Sequence, residues 1–412
     1  MKVNFRSLVK SEENFESAVN TQFKSVGENC LATLLQRSDL GFHQLPQREP
    51  LWTASAQLAK KMKAQFDEFV WVGIGGSSLG PKSIVQALGG TQFHFIENPD
   101  VVSLSKLNQE VKNWEKVGFI FVSKSGTTIE TLALLDYFSS IMNEKNLFLP
   151  RQSVVITELK SSSLYDWACK FEVPILEIPL DVGGRFSVLS SLGQLTVGLL
   201  GKDIQRLRKG ALQALTSEYQ SEVIFPMLEF FIQGLQQKDL LTYFWYYADH
   251  SYLLGKWLEQ LWAESLGKRV SPSSALVASV PLIALGANDQ HSVLQQMMEA
   301  PLKKSVVVHR FPEVEKSDVK IIKSLFPETK VLEGKDFSHL LKTEAQAMTE
   351  SQKQVAHHVL ELELQANCEE SLGLYFMTYQ LIVGSLGEYL KIDAFNQPGV
   401  ELGKIITKKM LS

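Results

Sequence analysis

A chain of 412 residues with 45% apolar and 21% charged side chains is too long for one hydrophobic core and too apolar for disorder, so two domains are expected. A net charge of −4 without long single-sign runs offers no basic stripe for a nucleic-acid backbone and no polybasic patch for a membrane surface. Cys30, Cys169 and Cys368 are odd in number, far apart and outside any C-x-x-C pairing, which points away from a disulfide framework or a structural zinc.

In chain order, residues 1–45 read as a polar helical segment that packs on the second domain. Their start, MKVNFRSLVK, lacks the apolar run of a secretory signal, and no stretch of about 18 apolar residues follows. The expected location is therefore the cytoplasm, away from membranes. From Phe69 the pattern changes: FVWVGIGG is an apolar run closing in glycines, and Pro81 suits the first turn of the helix that follows. QFHFIEN, VGFIFVSKSG, QSVVITE and VPILEIPLD repeat the strand pattern with helical or loop segments between. Such alternation predicts an α/β fold with a parallel sheet covered on both faces. A second set follows: DLLTYFWYYADH as strand and turn, SYLLGKWLEQLWAESLGK as an amphipathic helix, and KSVVVHRFP as a strand. The fold expectation is two tandem doubly wound αβα sandwiches, over 46–195 and 196–412. A long apolar helix at CEESLGLYFMTYQLIVGSLGEYLKI and the loop FNQPGVELGK, entering a final helix, close the chain.

In open parallel sheets ligands bind at the carboxyl ends of strands, where backbone N–H groups and the positive end of a helix are exposed. Two turns suit that place. In GIGGSSLG, Gly73, Gly75 and Gly76 let the backbone approach a ligand and Ser77 adds a hydroxyl. In SKSGTTIET, Ser123, Ser125, Thr127 and Thr128 supply hydroxyls, Lys124 adds charge, and Gly126 allows an unusual backbone angle. A phosphate monoester fits such a cluster. A plain tight turn and an ordinary Ser/Thr helix cap are the bland alternatives. Gly73, Gly75 and Glu97 also imitate a dinucleotide fingerprint, but Ser78 occupies the third glycine position.

These two loops resemble the sugar-phosphate loops of sugar isomerase (SIS) domains, and four further segments narrow the resemblance to the glucose-6-phosphate isomerase family. DVGGRFSVLS is similar to that family's GGR[FY]S motif, QLWAESLGK to its Q-x-x-G-E-S helix, NDQHS to its D-x-H-S segment, and FNQPGVELGK to its carboxy-terminal signature. The resemblance implies a flavodoxin-like parallel sheet in each domain and an aldose–ketose isomerase that needs neither metal nor organic cofactor. It further implies that Gly76, Ser77, Ser123, Lys124, Ser125, Thr127 and Thr128 surround the phosphate. Gly184, Gln260 and Gln397 would line the sugar site. Glu264 falls at the catalytic base, Arg185 beside the reacting carbons, His291 at the ring-opening histidine and Lys404 at the active-site lysine, with Glu130 near that histidine. Members are commonly homodimers whose histidine comes from the neighbouring subunit, so a homodimer with a shared site is implied as well.

The chemistry asks for such a set. Moving a carbonyl between adjacent carbons requires opening the ring, taking a proton from one carbon and returning it to the next. A carboxylate such as Glu264 can shuttle that proton, a guanidinium such as Arg185 stabilises the enediolate, and an imidazole such as His291 can serve the ring oxygen. Taken singly each residue has a dull reading: a solvated helix glutamate, a loop salt bridge, a surface lysine, a turn histidine. The remaining histidines, among them His357 and His358, read as adjacent residues of a helix, show no metal-ligand spacing, which disfavours a metal-assisted hydride shift. Ala263, Gln290 and Asn288 stand where the family often has glycine, an apolar residue and threonine. A dual glucose and mannose phosphate isomerase, a non-catalytic sugar-phosphate sensor and a dehydrogenase remain as rival readings.

Overall fold

The structure, a computed structural model, describes residues 1–6, 16–268, 278–310, 319–355, 358–364 and 368–411. Strand β1 (Lys2–Arg6) precedes helices α1 (Glu16–Gln36) and α2 (Glu49–Gln65). The first sheet then alternates β2 (Glu68–Val72), α3 (Leu79–Leu88), β3 (Phe93–Ile96), α4 (Val101–Glu110), β4 (Val117–Val122), α5 (Ile129–Glu144), β5 (Ser153–Thr157), α6 (Ser163–Lys170) and β6 (Ile175–Glu177). Helices α7 (Ser191–Leu199), α8 (Ile204–Gln213), α9 (Ser217–Tyr219) and α10 (Phe225–Gln236) lead to the second sheet. There follow β7 (Leu241–Tyr246), α11 (Tyr252–Leu266), β8 (Val280–Leu285), α12 (Leu294–Glu299), β9 (Lys304–Arg310), α13 (Phe337–Gln354) and β10 (His358–Glu363). The chain ends in α14 (Glu369–Leu390) and α15 (Glu401–Leu411).

The first sheet is wholly parallel in the order β3-β2-β4-β5-β6. Its central strand β4 is buried at all six positions, which is why its sequence reads as a continuous apolar run instead of alternating. The chain goes from β2 outward to β3 and then returns to the other side of β2 for β4. Between the carboxyl ends of β2 and β4 the sheet therefore has a switch point, where the two outgoing turns part and leave a crevice. Val72 is paired with Phe121, so GIGGSSLG and SKSGTT leave the sheet side by side.

The second sheet has the order β1-β10-β9-β7-β8, parallel from β10 to β8. Two elements differ from the sequence reading. Lys2–Arg6 is a strand, not part of a helix, and pairs antiparallel with β10; five residues suffice to satisfy the edge that β10 would otherwise present. His358 opens β10 and does not lie on a helix, while its neighbour His357 lies outside the described residues. Residue 195 falls inside α7, which packs on α2, so the chain passes to the second sheet after that helix and not within it.

The largest apolar core packs on one face of the second sheet, is built around α14, and takes in Ile84 and Ala87 of α3 and Phe186, Val188 and Leu189. Its buried positions run almost without break from Leu372 to Gly387, as expected for a helix enclosed on every side. Against α8 the backbones nearly touch: a Cβ on Gly373 would lie 1.9 Å from the Leu207 carbonyl oxygen. The α1 helix packs on α10 and α14, and so joins this core. Among the described residues no helix is long and apolar enough to cross a membrane.

Candidate active site

The crevice at the first switch point is lined by backbone. Gly75 has φ +57° and Gly126 φ +67°, left-handed values that glycine adopts without steric cost. Close approach adds a second constraint at Gly126, where a Cβ would sit 2.0 Å from Ser162 Oγ. Within the hydroxyl turn, Ser123 and Thr128 share a hydrogen bond of 2.8 Å, the Gly126 amide donates to Ser123 Oγ at 3.1 Å, and Thr127 Oγ1 donates to Ser125 Oγ at 3.1 Å. Ser123 is buried, whereas Ser125 and Thr127 are exposed at the mouth. The turn is thus preformed by contacts among its own residues, with α5 beginning immediately after it. Lys124 reaches Glu158, at the end of β5, with Nζ 3.4 Å from Oε1, so an incoming phosphate would compete with a carboxylate for this ammonium.

Ser77 ends the one-turn helix Gly75–Ser77, and its carbonyl oxygen is held by the Trp71 indole N–H at 2.9 Å. That turn touches both other walls of the crevice. A Cβ on Gly76 would be 2.5 Å from the Gly184 carbonyl oxygen, and one on Gly75 would be 3.0 Å from Gln260 Nε2. Glu97, the acidic residue of the imitated dinucleotide fingerprint, accepts a hydrogen bond from Ser78 at 2.7 Å and pairs with Lys82. Both partners tie Glu97 to α3 and its cap, which accounts for its presence without a ribose.

Arg185 stands at the centre of the assembly. It lies in the short helical turn Gly184–Leu189 after β6, with its side chain 2% exposed against 30% for Glu264. Its Nε donates to Ser265 Oγ at 2.7 Å; Nη1 faces Glu264 Oε2 at 3.4 Å and Gln397 Oε1 at 3.2 Å. Its Nη2 donates to the Ala394 and Asn396 carbonyl oxygens at 2.5 and 2.8 Å. Burial lowers its pKa from the usual guanidinium value, opposed by the charges of Glu264 and Asp393; guanidinium remains cationic regardless. A buried cation so fully bonded is costly to remove, because each carbonyl left unpaired carries its own desolvation cost.

Glu264 sits in the last turn of α11, whose Trp257, Leu261 and Trp262 are buried. Gln260, one helical turn earlier on the same face, donates from Nε2 to Glu264 Oε1 at 2.9 Å. One carboxylate oxygen thus meets an amide and the other a guanidinium, while the group stays open to the crevice. Ser265, Lys268 and the carbonyls of the 393–397 turn take part in this cluster, and the sequence reading gives them no role. Ser265 lies inside the motif that supplies Glu264, but a helix sequence does not show which distant arginine its hydroxyl meets.

His291 and Lys404 are placed differently. His291 ends the short turn Asn288–His291 after β8 and is exposed. Asp289 shapes that turn by accepting from the Leu285 amide at 2.8 Å and from Ser292 Oγ at 2.9 Å, and Gln290 donates to the Tyr247 hydroxyl at 2.5 Å. Gln290 therefore has a partner of its own. Lys404 is exposed on α15, beside the exposed Leu402, Ile405 and Ile406. Glu130 is half-buried in the first turn of α5. Ala263 is exposed, so its methyl points away from the packed face of α11.

Comparison with known proteins gives the family. The phosphoglucose isomerase family profile matches residues 55–412. A glucose-6-phosphate isomerase of Thermus thermophilus is 33% identical over 359 residues, covering 84% of each chain. Among solved structures, a hypothetical protein of Thermus thermophilus superposes with a TM-score of 0.85 at 29% identity over 96% of both chains. A glucose-6-phosphate isomerase of Chlamydia trachomatis shares the fold with a TM-score of 0.81 at 19% identity, over 97% of this chain and 87% of that one. The match over 55–412 includes the glycine turn, the hydroxyl turn, Arg185, Glu264 and the carboxy-terminal signature together, and the chain belongs to the phosphoglucose isomerase family.

Proposed function

We propose that the protein interconverts D-glucose 6-phosphate and D-fructose 6-phosphate by ring opening and proton transfer through an enediolate. The observation that carries this reading is the open Glu264 carboxylate set against the enclosed Arg185 guanidinium at 3.4 Å. An enzyme of this kind needs a base that reaches substrate and a fixed cation beside the oxygens where charge develops. Before substrate binds, each offsets the other's charge. As the substrate's C–H proton passes to Glu264, the negative charge moves to the enediolate oxygens, and Arg185, which cannot reorient within its hydrogen bonds, stabilises it there. Returning the proton from Glu264 to the neighbouring carbon completes the exchange.

The phosphate belongs at the switch point, against the Gly75–Gly76 backbone and the Ser77, Ser123, Ser125, Thr127 and Thr128 hydroxyls, with Lys124 turning from Glu158 toward it. Gly184, Gln260 and Gln397 line the sugar between phosphate and base. His291 is assigned to the ring oxygen and Lys404 to the sugar hydroxyls, with Glu130 supporting the histidine. The exposure of His291 and Lys404 in the single chain accords with a homodimer in which His291 serves the neighbouring site. The cytoplasm is the proposed location. A coupled assay converting fructose 6-phosphate to glucose 6-phosphate tests the function: turnover supports it. Absence of turnover, with the sugar phosphate still raising the melting temperature, would favour a sensor instead.

A further inference from the structure

Beside Arg185 and Glu264 lies a cation to which the proton transfer above gives no part. Lys268 follows the end of α11, four residues after Glu264, where Gly267 closes the helix by donating to the Ala263 carbonyl. The Lys268 ammonium donates to the Asn396 carbonyl oxygen at 2.7 Å and to that of Asp393. Asn396 is also the carbonyl that Arg185 Nη2 binds at 2.8 Å. Two cations from well-separated segments therefore meet on one backbone oxygen, on the turn that delivers Gln397 to Arg185. Like charges converge in this way only where the acceptors between them are held firmly in place. Lys112, Lys116 and Lys303 each donate to a single backbone carbonyl, whereas Lys268 joins two carbonyls of a turn that Arg185 also binds.

We propose that Lys268 is a positioning residue: its ammonium clamps the 393–397 turn to the end of α11 and thereby sets Arg185 and Gln397 relative to Glu264. The inference rests on the reading of Glu264 and Arg185 as base and charge stabiliser. The groups that face the ammonium are Arg185 from the turn after β6, Glu264 from α11 and Asp393 from the carboxy-terminal turn. Burial first, then the charge of Arg185, pushes the lysine down to about 8, against the pull of Asp393 and Glu264. The clamp thus loses its charge within a range accessible to assay, and a neutral amine holds two carbonyls more weakly.

The test compares wild type, Lys268→Met and Lys268→Arg for kcat, KM and melting temperature with fructose 6-phosphate from about pH 6.5 to about pH 9.5, a span that brackets the lysine's titration. Lys268→Met is expected to lower kcat by about ten- to a hundredfold, with a smaller change in KM. Lys268→Arg should restore much of kcat and keep it at high pH, whereas wild-type kcat is expected to decline as pH rises through the lysine's folded-state value of about 8. Wild-type kcat in Lys268→Met, or a decline in Lys268→Arg at the same pH as wild type, overturns the proposal. Should Lys268→Met fail to fold, the pH profiles of wild type and Lys268→Arg decide alone. Glu264→Gln measured in parallel separates the two claims: near-normal turnover there removes the base assignment itself. An inactive Glu264→Gln beside an unaffected Lys268→Met removes only the clamp.

Discussion

The two walls of the crevice are built on different scales. The hydroxyl turn is held by contacts between residues two to five positions apart: Ser123 with Thr128, Ser125 with Thr127, Gly126 with Ser123. The Arg185 cluster is held by contacts spanning 79, 80 and 212 residues, to Glu264, Ser265 and Gln397. One wall is a local sequence folded on itself, and the other exists only once both sheets and the carboxy-terminal turn have packed. A substitution in the first should act on one contact, whereas a substitution in the second removes support from several segments together.

Four substitutions test that contrast, in falling order of effect. Glu264→Gln should lower kcat by about 10³-fold, within the span of a lost general base, while a sugar-phosphate analogue still binds, because the amide keeps the shape and can still contact Gln260. Steady-state kinetics with calorimetric binding of the analogue check it; loss of binding in step with turnover would move Glu264 from chemistry to substrate capture. Arg185→Ala should damage both activity and folding, since the Ala394 carbonyl loses its donor at about 1–3 kcal/mol and the Asn396 carbonyl keeps only Lys268. Denaturant titration beside kinetics reveals it, and an inactive variant of wild-type stability would mean that the cluster relaxes more freely than its bonds suggest.

Lys124→Ala should raise KM by about tenfold with kcat little changed, in keeping with one charge-assisted contact to the phosphate. Equal loss in kcat would show that the local wall also orders the reacting carbons. Asp181→Asn carries the smallest effect. Asp181, four residues before Arg185, takes a bidentate ion pair from Arg48 at 2.9 and 2.5 Å, and its carbonyl receives the Gly41 amide at 2.8 Å. The Arg48 hydrogen bonds hold its pKa below the usual carboxylate value. A depressed carboxylate gives stability that is fully present above its unfolded-state pKa, about 4, and is lost as pH falls through the folded value. For a pair that is partly exposed the loss in Asp181→Asn is about 1 kcal/mol or less at neutral pH, and it should fade in melts below about pH 4. An undiminished effect in acid would assign the loss to packing near Gly41.

Lys268 gives a further contrast between activity and stability. Because its folded-state pKa is lowered to about 8, the unfolded chain binds more protons than the native one between there and the ordinary lysine value. Its contribution to stability therefore rises with pH over that window while the proposed clamp weakens.

Much of the site is readable before any packing is known, for a physical reason in each case. A buried parallel strand must be continuously apolar, so β2 and β4 announce themselves; the turns that follow must supply glycines for left-handed angles and hydroxyls for hydrogen bonds, and GIGGSS and SKSGTT do so. The short edge strand β1 reads as helix because the polar/apolar alternation of Lys2, Val3, Asn4, Phe5 and Arg6 spans only five residues beside a polar helical segment. Its conformation is set by the β10 edge it meets. His358 escapes a local reading for the same reason, as strand pairing with β9 and not local preference decides its backbone.

The amino-acid order by itself determined the two αβα units, the switch-point turns and which residue types were available for proton transfer. Only the tertiary structure decided that Arg185 would be enclosed and fully bonded while Glu264 stayed open, that Ser265, Lys268 and the 393–397 carbonyls would hold the pair together, and that Phe395 would pack against both Phe42 and Phe186 to seat that turn. Strand and turn signals are written in neighbouring residues because their hydrogen bonds are local. A buried guanidinium is satisfied by whichever groups the folded chain brings within hydrogen-bonding reach, and those come from segments up to 212 residues away.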